Sequence, residues 1–217
     1  KLITGQHGGG TRTLKNDSTL DHDYAVSDYY ISWGNGGTFN KKNVVLPVNK
    51  FSEYSSKFNI KKNGLLHVLN SDPRYIIAIY SNQMLSKYKN YISDQKIFIN
   101  FIDKKIDKGY KLRKNPNGIH NRWCKDFDFD ENIAIDYEKH FIKSIKNNKL
   151  AVVTSNHTTF LQSLSMNIPT VAYWNPKDEI LEDSVVSDYK KLYDIGILFN
   201  SPEEAAEHIN DHWDTID

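Results

Sequence analysis

Cysteine is almost absent from this chain, which has 217 residues and a single thiol at Cys124. An internal disulfide framework is therefore excluded, and the composition suits a reducing compartment. An excess of charge of either sign is also lacking, because 28 Lys and Arg residues stand against 27 Asp and Glu residues. A chain so close to neutrality has no global field that would attract nucleic acid, so we expect no nucleic-acid partner.

Long apolar runs are missing as well. No run approaches the roughly 18 residues that are needed to span a bilayer, and no signal peptide is visible. Aromatic residues, in contrast, are plentiful at 12%, which is enough for a packed core. We expect a soluble, cytoplasmic protein, and a peripheral position at the inner membrane is left open.

The remaining sequence predicts an α/β protein. Short apolar segments alternate with segments of helical periodicity, a pattern that favours a doubly wound parallel sheet of the Rossmann type. We assign residues 64–217 to one Rossmann-like domain. Residues 1–63 are less regular and already begin with a strand-like segment, Lys1–Thr4. We therefore expect this part to hold the first strands and the boundary with an N-terminal domain of the same protein.

The most informative stretch is residues 150–175, which read LAVVTSNHTTFLQSLSMNIPTVAYWN. Leu150–Val153 and Thr170–Tyr173 are short runs typical of strands buried on both faces, and a segment with helical spacing lies between them. The loop Thr154–Thr159 carries four hydroxyl groups at the start of that helix. Since the first-turn N–H groups lack partners and the helix dipole is positive there, the loop favours a phosphate. The same residue types are ordinary N-caps, so simple capping is the alternative.

A second loop follows the first strand and contains three consecutive glycines, Gly8, Gly9 and Gly10. Glycines permit left-handed dihedrals and close approach of the backbone to a ligand. The loop matches neither a Walker A motif nor the dinucleotide fingerprint. His7 lies between the strand and the glycines, where an imidazole can act as an acid or a base. A satisfied polar residue at the end of a strand is the alternative for His7.

Two further clusters are candidates for ligand contacts. Arg113, at the end of a short strand, forms a small cationic patch with His120 and Arg122 that suits a phosphate or a carboxylate. Solvated loop charges are the alternative. Ser71–Pro73 follows the strand Leu65–Leu69, at the sheet edge where ligands bind in open α/β folds. A plain β-turn is the preferred explanation of that segment.

The sequence does not predict a metal site. Asp126, Asp128 and Asp130 alternate with Phe127 and Phe129. This alternation is typical of a solvated turn or an edge segment, and it differs from the carboxylate pair of a metal-nucleotide site. We therefore expect no metal.

Periodicity and capping residues predict the surrounding helices. Helical spacing predicts one helix over Ser93–Lys108 and another over Tyr137–Lys146. Gly196 is typical of a residue that follows a helix, and Ser201 is typical of an N-cap. The loop Trp174–Glu179 is polar, and we expect its tryptophan to be exposed.

The chain resembles a bacterial family of surface-carbohydrate transferases. Four stretches carry the resemblance, in the same order and over nearly the whole chain: GQHGGG, SDYYISWG, TSNHTTFLQSLSMNIPTVAYWNP and YDIGILFNSPEEAAEHINDHW. Members of that family have the GT-B glycosyltransferase architecture of two Rossmann domains. The C-terminal half of such enzymes holds the donor nucleotide, and the cleft between the halves holds the acceptor.

The resemblance implies roles for particular residues. The HGG stretch is similar to the His-Gly motif of polyol-phosphate and capsule transferases, which makes His7 the candidate catalytic or acceptor-binding residue. Where capsule transferases have a His-Pro pair, this chain has Asn115 and Pro116, so Arg113 or a neighbouring cation would replace the histidine. The implied phosphate ligands are Thr154, Ser155, Asn156, Thr158, Thr159 and Arg113, and further cleft candidates are Gly8, Gly9, Gly10, Arg12, His120, Arg122, Trp174 and Glu179.

The expected activity is transfer of a sugar from a nucleotide-sugar donor to a cell-surface polysaccharide or a lipid-linked acceptor. The nucleotide-sugar is a co-substrate, and no cofactor is expected. We expect this chain to form only part of the enzyme, because a cleft enzyme needs both walls. Two alternatives remain: a non-hydrolysing sugar-nucleotide epimerase, and a non-catalytic sugar-nucleotide-binding subunit of a polysaccharide complex.

Overall fold

The computed structural model describes residues 1–15, 18–34, 42–48, 51, 64–70, 85–114 and 132–216. Its first sheet has three parallel strands in the order β1-β2-β3. These strands are Ile3–Gly5 (β1), Tyr29–Trp33 (β2) and Asn43–Leu46 (β3). The helix Ser18–Val26 (α1) precedes the central strand β2. The sequence pattern does not predict this helix.

The second sheet has six strands, all parallel, in the order β6-β5-β4-β7-β8-β9. The strands are Leu65–Val68 (β4), Tyr110–Arg113 (β5), Ala134–Ile135 (β6), Leu150–Val153 (β7), Thr170–Tyr173 (β8) and Leu198–Phe199 (β9). Numbered from β4, this is the strand order 3-2-1-4-5-6 of the Rossmann fold, whose direction of winding reverses between the two central strands. The predicted doubly wound parallel sheet is therefore confirmed, with its topological switch point between β4 and β7.

Helices cover both faces of this sheet. They are Leu85–Phe101 (α2), Lys104–Asp107 (α3), Phe141–Lys146 (α4), Thr158–Ser165 (α5), Val186–Asp194 (α6) and Pro202–His212 (α7), with 3₁₀ turns at Asp183–Val185 and Trp213–Thr215. Strands β4, β7 and β8 are buried at every position, as their near-continuous apolar sequences predict. The predicted boundary at residue 63 falls beyond the described residues, and the division into domains stays a prediction.

The core consists of apolar layers on the two faces of the sheet. One layer packs β4, β5, β7 and β8 against α2 and α7, and it includes Leu65, Phe98, Val152, Ala205 and Ile209. The opposite layer packs Leu66 and Ala151 of the sheet against Ile145 of α4 and against Met166 and Ile168, which follow α5. Within the described residues, no helix is long and apolar enough to cross a membrane.

The predicted single helix over Ser93–Lys108 is wrong, because the chain forms two helices there. Asp103 adopts an extended conformation at the start of α3. Its N–H donates to the side-chain oxygen of Asn210 over 2.9 Å, and the Asn210 amide donates to the Phe101 carbonyl over 2.8 Å. The Asn210 side chain from α7 thus makes hydrogen bonds to the backbone groups that the break between α2 and α3 leaves unpaired within the helices. Local periodicity cannot indicate such a distant partner.

The other predicted helix ends are partly right. The helix predicted from Tyr137 begins only at Phe141, because residues 137–140 are irregular and the Glu138 carbonyl accepts a hydrogen bond from Arg113. At α7 the Ser201 hydroxyl accepts the Glu204 N–H, so the predicted N-cap is confirmed. Gly196 has φ +73° and follows Ile195, the C-cap residue of α6, which confirms the predicted terminating glycine.

Candidate functional site

A cleft of ≈ 310 Å³ lies at the switch point, beyond the carboxyl ends of β4 and β7. Ligands of open α/β sheets bind at this place, because the flanking loops diverge there. The lining residues are Val68, Leu69, Asn70, Arg113, Lys114, Lys139, Phe141, Ser155, His157, Thr158 and Thr159. Four residues of the predicted phosphate site, Arg113, Ser155, Thr158 and Thr159, are therefore brought to one cleft.

Among the described residues, no side chain caps the N-terminus of α5. His157 is the N-cap residue and makes no side-chain capping bond. The Phe160 N–H donates to the His157 carbonyl over 3.0 Å, whereas the Thr158 and Thr159 N–H groups find no partner among the described residues. The Ser155 and Thr159 hydroxyls also find no hydrogen-bond partner in the part of the chain that the structure describes. Simple capping thus does not explain these hydroxyls, and the positive end of the helix keeps donors that the described residues do not pair.

Three cations line the cleft, and the described lining includes no carboxylate. Arg113 is held firmly, because its Nη1 donates to the Asp136 carboxylate over 2.6 Å and to the Glu138 carbonyl over 2.7 Å. Burial alone would raise the pKa of Asp136, but hydrogen bonds from Ser144 and Arg113 outweigh it and lower the pKa. Lys114 and Lys139 add two charges, so the cleft attracts an anion.

Asn70 supplies a donor that pattern analysis missed. Its side-chain Nδ2 is buried and has no hydrogen-bond partner in the described structure. Buried donors are nearly always satisfied, so one at the lining of a cleft indicates a contact that a ligand or water would complete. The only sequence signal was the turn-forming cluster after β4, whose Ser71–Pro73 lies outside the described residues. Lys114, Lys139 and Phe141 gave no signal, because they are brought to the cleft only by the fold.

Thr154 and Asn156 lie behind the cleft rather than in it. The Thr154 hydroxyl donates to the Val68 carbonyl over 3.0 Å. The Asn156 amide donates to the Thr13 hydroxyl over 3.0 Å and accepts from the Tyr189 hydroxyl over 2.7 Å. Both side chains are buried and hydrogen-bonded to other protein groups, so they support the loop. The structure therefore does not place them with Ser155 in the cleft lining.

The glycine loop packs directly on the start of α5. A Cβ on Gly9 would lie 2.7 Å from the His157 carbonyl carbon, and a Cβ on Gly10 would lie 2.8 Å from the Asn156 carbonyl oxygen. None of Gly8, Gly9 and Gly10 has a positive φ. Glycine is therefore needed at Gly9 and Gly10 because the protein's own backbone approaches closely there. The left-handed dihedrals that the sequence suggested are not the reason.

His7 is exposed and precedes this contact. It is absent from the cleft lining, but a Cβ on Gly8, its neighbour, would lie 3.2 Å from the Thr158 hydroxyl. The preceding Gln6 stabilises the turn, since its side-chain amide donates to the Gly8 and Thr11 carbonyls over 3.0 and 3.2 Å. The structure therefore places His7 beside the wall of the cleft that Thr158 provides.

Arg12, also a cleft candidate, lies elsewhere. It is 7% exposed and has φ +69°. Burial lowers the pKa of its guanidinium group, and the neighbouring phenols of Tyr30 and Tyr24 oppose that shift. Arg12 thus belongs to the packing of the first sheet rather than to the cleft lining. His120 and Arg122 lie outside the described residues.

Trp174 and Glu179 line a second, much smaller cavity. The expectation that Trp174 is exposed is wrong: it is 5% exposed and packs edge-on against Phe160, with ring centroids 5.6 Å apart. The Glu179 carboxylate accepts the Asn156 N–H over 2.7 Å. Burial raises the pKa of Glu179 to about 8, and the nearby Asp178 acts in the same direction. Glu179 thus supports the hydroxyl-rich loop from the side away from the cleft.

Comparison with known proteins identifies the family. A model described as "LIC12162 family transferase" matches residues 1–217, so the chain belongs to that family of transferases. No curated protein matches the chain. Among solved structures, the wall teichoic acid polymerase TagF aligns with a TM-score of 0.37 and 11% sequence identity. That alignment covers 99% of this chain and 59% of the polymerase chain.

Proposed function

We propose that this member of the LIC12162 transferase family is the donor-binding part of a GT-B glycosyltransferase that uses a nucleotide-sugar. The observation that carries the proposal is the switch-point cleft. It combines helix N–H groups and the hydroxyls of Ser155 and Thr159, none of which has a partner among the described residues, with three cations and no carboxylate in its described lining. A diphosphate is the group that such a lining suits best.

The same lining supports a transfer reaction. As an acceptor oxygen bonds to the anomeric carbon, the bond from that carbon to the donor phosphate oxygen breaks, and negative charge develops on the leaving diphosphate. The N–H groups at the start of α5, with Arg113 and Lys139, would stabilise that charge. The acceptor hydroxyl must lose a proton, and His7 is the candidate base because it lies beside this wall of the cleft.

The proposed acceptor is a cell-surface polysaccharide or a lipid-linked glycan. An N-terminal domain of the same protein would form the opposite wall, and the protein would act in the cytoplasm or at the periphery of the inner membrane. No metal ion or cofactor enters this scheme, since fixed cations and helix N–H groups neutralise the leaving group.

The test is ligand-induced stabilisation of the full-length protein. A ligand that binds only the folded state raises the melting temperature, and the rise grows with the logarithm of the ligand concentration above the dissociation constant. We expect one of CMP, UDP, GDP and dTDP to do so, and the double variant Ser155→Ala/Thr159→Ala to lose the effect. The matched control is Ser165→Ala at the other end of α5, whose hydroxyl donates to the Gln162 carbonyl; it should keep the effect.

Turnover assays then separate the reaction classes. Release of free nucleotide that depends on a glycan or lipid-linked acceptor supports a glycosyltransferase. Epimerised nucleotide-sugar formed without any acceptor would identify an epimerase, and binding without turnover would identify a non-catalytic subunit. Absence of stabilisation by every nucleotide in the full-length wild type would contradict the proposal as a whole.

A further inference from the structure

The Tyr91 hydroxyl connects the two loops that meet at the switch point. Tyr91 lies on α2, and its oxygen accepts the Asn70 N–H over 2.6 Å. The same hydroxyl lies 2.7 Å from the Thr154 hydroxyl. Asn70 follows β4, and Thr154 follows β7. One phenol from a third element thus makes hydrogen bonds to both sides of the cleft.

The hydrogen-bond directions are determined by the partners. The Thr154 hydroxyl donates to the Val68 carbonyl over 3.0 Å, so its proton is already used. The Tyr91 hydroxyl must therefore donate to Thr154, and its oxygen is left to accept from the Asn70 N–H. Every proton has an acceptor in this arrangement, and a network satisfied in this way holds a single geometry.

The phenol acts where the backbone pairing stops. Strands β4 and β7 are paired through Val68 and Val153, and the loops diverge beyond that pair. Tyr91 joins Asn70, which lies two residues beyond Val68, to Thr154, which directly follows Val153. The residue after Thr154 is Ser155, which lines the cleft together with Asn70.

We propose that Tyr91 is a positioning residue for the anion-binding cleft, acting through Asn70. The bond to the Asn70 backbone would fix the direction of the Asn70 amide, whose buried donor has no protein partner in the described structure. That amide would donate to a phosphate oxygen of the donor. The inference rests on the proposed function, because it assigns Tyr91 and Asn70 to the same phosphate site.

The ring and the hydroxyl of Tyr91 have separable roles. The ring belongs to the core layer around Phe98 and Leu69, and Tyr91 is 9% exposed. Phenylalanine would keep this packing and remove only the oxygen. Tyr91→Phe is therefore a clean test, and Tyr110→Phe is its matched control. Tyr110 is 6% exposed and its hydroxyl bonds to buried His67, and neither residue lines the cleft.

The experiment measures dissociation constants of inorganic pyrophosphate and of the nucleotide that stabilises the wild type, by calorimetry on the full-length protein. We expect Tyr91→Phe to weaken both about tenfold, the change that corresponds to one lost buried hydrogen bond. Both tyrosine variants should lower the melting temperature to a similar degree, while Tyr110→Phe should bind with wild-type affinity.

A double-mutant cycle tests the route through Asn70. Asn70→Ala should weaken binding at least as much as Tyr91→Phe, and Tyr91→Phe should add little in the Asn70→Ala background, because the group it positions is gone. Unchanged affinity in folded Tyr91→Phe, or full additivity in the cycle, would overturn the inference. Absence of pyrophosphate and nucleotide binding in the wild type would instead overturn the proposed function.

Discussion

The backbone N–H of Gly9 donates to the Thr158 hydroxyl over 3.2 Å, across 149 positions of sequence. This bond joins the loop after β1 to the first residue of α5. Nearby, the Glu182 N–H donates to the Thr13 carbonyl over 2.9 Å, and the Lys15 N–H donates to the Ile180 carbonyl over 2.8 Å. The glycine loop and the hydroxyl-rich loop therefore pack against each other, and Ser155 and Thr159 of the hydroxyl-rich loop line the cleft.

The contact predicts a large effect of Gly9→Ala. The added Cβ would lie 2.7–2.8 Å from backbone atoms of His157 and Thr158, which cannot rotate away. We expect a loss of about 1–3 kcal/mol of unfolding free energy, as for overpacked sites, and weaker nucleotide binding because α5 is displaced. Urea denaturation and calorimetric titration measure the two effects.

Gly5→Ala is the matched control for that substitution. A Cβ on Gly5 would meet Ile31 at 3.7 Å, an ordinary contact. We expect its stability within about 0.5 kcal/mol of the wild type. Equal behaviour of the two variants would show that the close approach of Gly9 is not needed.

Asp136→Asn tests how firmly Arg113 is held in the cleft. The side chains of Arg113 and Asp136 are only 5% and 11% exposed, so loss of the charged acceptor should cost about 1–3 kcal/mol. The pKa of Asp136 is lowered from its ordinary value of 3.8, so its contribution is complete above that value and is lost as the pH falls through the folded pKa. The stability difference between wild type and Asp136→Asn should therefore be full at pH 7 and shrink below about pH 4. A difference that stays constant down to pH 2 would contradict the pairing.

Glu179→Gln tests a buried carboxyl group whose pKa is shifted upward, in the opposite direction to that of Asp136. Burial raises the pKa of Glu179 from 4.5 to about 8, so the protonated form is favoured in the fold. The stability that protonation provides is complete below pH 4.5 and is lost as the pH rises through about 8. Glutamine stays neutral and can still accept the Asn156 N–H. The unfolding free energy of the wild type should therefore fall between pH 5 and pH 9, whereas that of Glu179→Gln should not. We expect the difference between the two proteins to change by more than about 1 kcal/mol in favour of Glu179→Gln, measured by urea denaturation at both pH values. A relative stability independent of pH would contradict the raised pKa.

The strands around the switch point were predictable because their signals are local. Leu150–Val153 and Thr170–Tyr173 are continuous apolar runs, and the structure has strands over the same residues. Ser201 and Gly196 act on their own helix ends, so their roles also follow from sequence. The position of Ser155, Thr158 and Thr159 in the cleft lining was predictable, because a loop between a buried strand and a helix start has one expected position in an α/β sheet.

The failures have a common physical cause. Asn210 interrupts a helix that is 107 positions away in sequence, and Phe160 covers the Trp174 side chain that a polar loop would suggest is exposed. In both cases the deciding partner comes from another element. A local pattern cannot show such a partner, and tertiary contacts override local preference.

Local sequence alone is thus sufficient for the parallel α/β class, for the hydroxyl-rich loop and for its position at a helix N-terminus, since hydrophobic periodicity and capping act within a few residues. The composition of the cleft depends on folding. Only the tertiary structure brings Lys139 and Asn70 to Ser155, turns Thr154 and Asn156 away from the cleft, and uses the glycines to bring two backbones into contact. The physical reason is that each of these outcomes depends on competition among partners for the same donor, acceptor or volume, and those partners become neighbours only when the sheet is assembled.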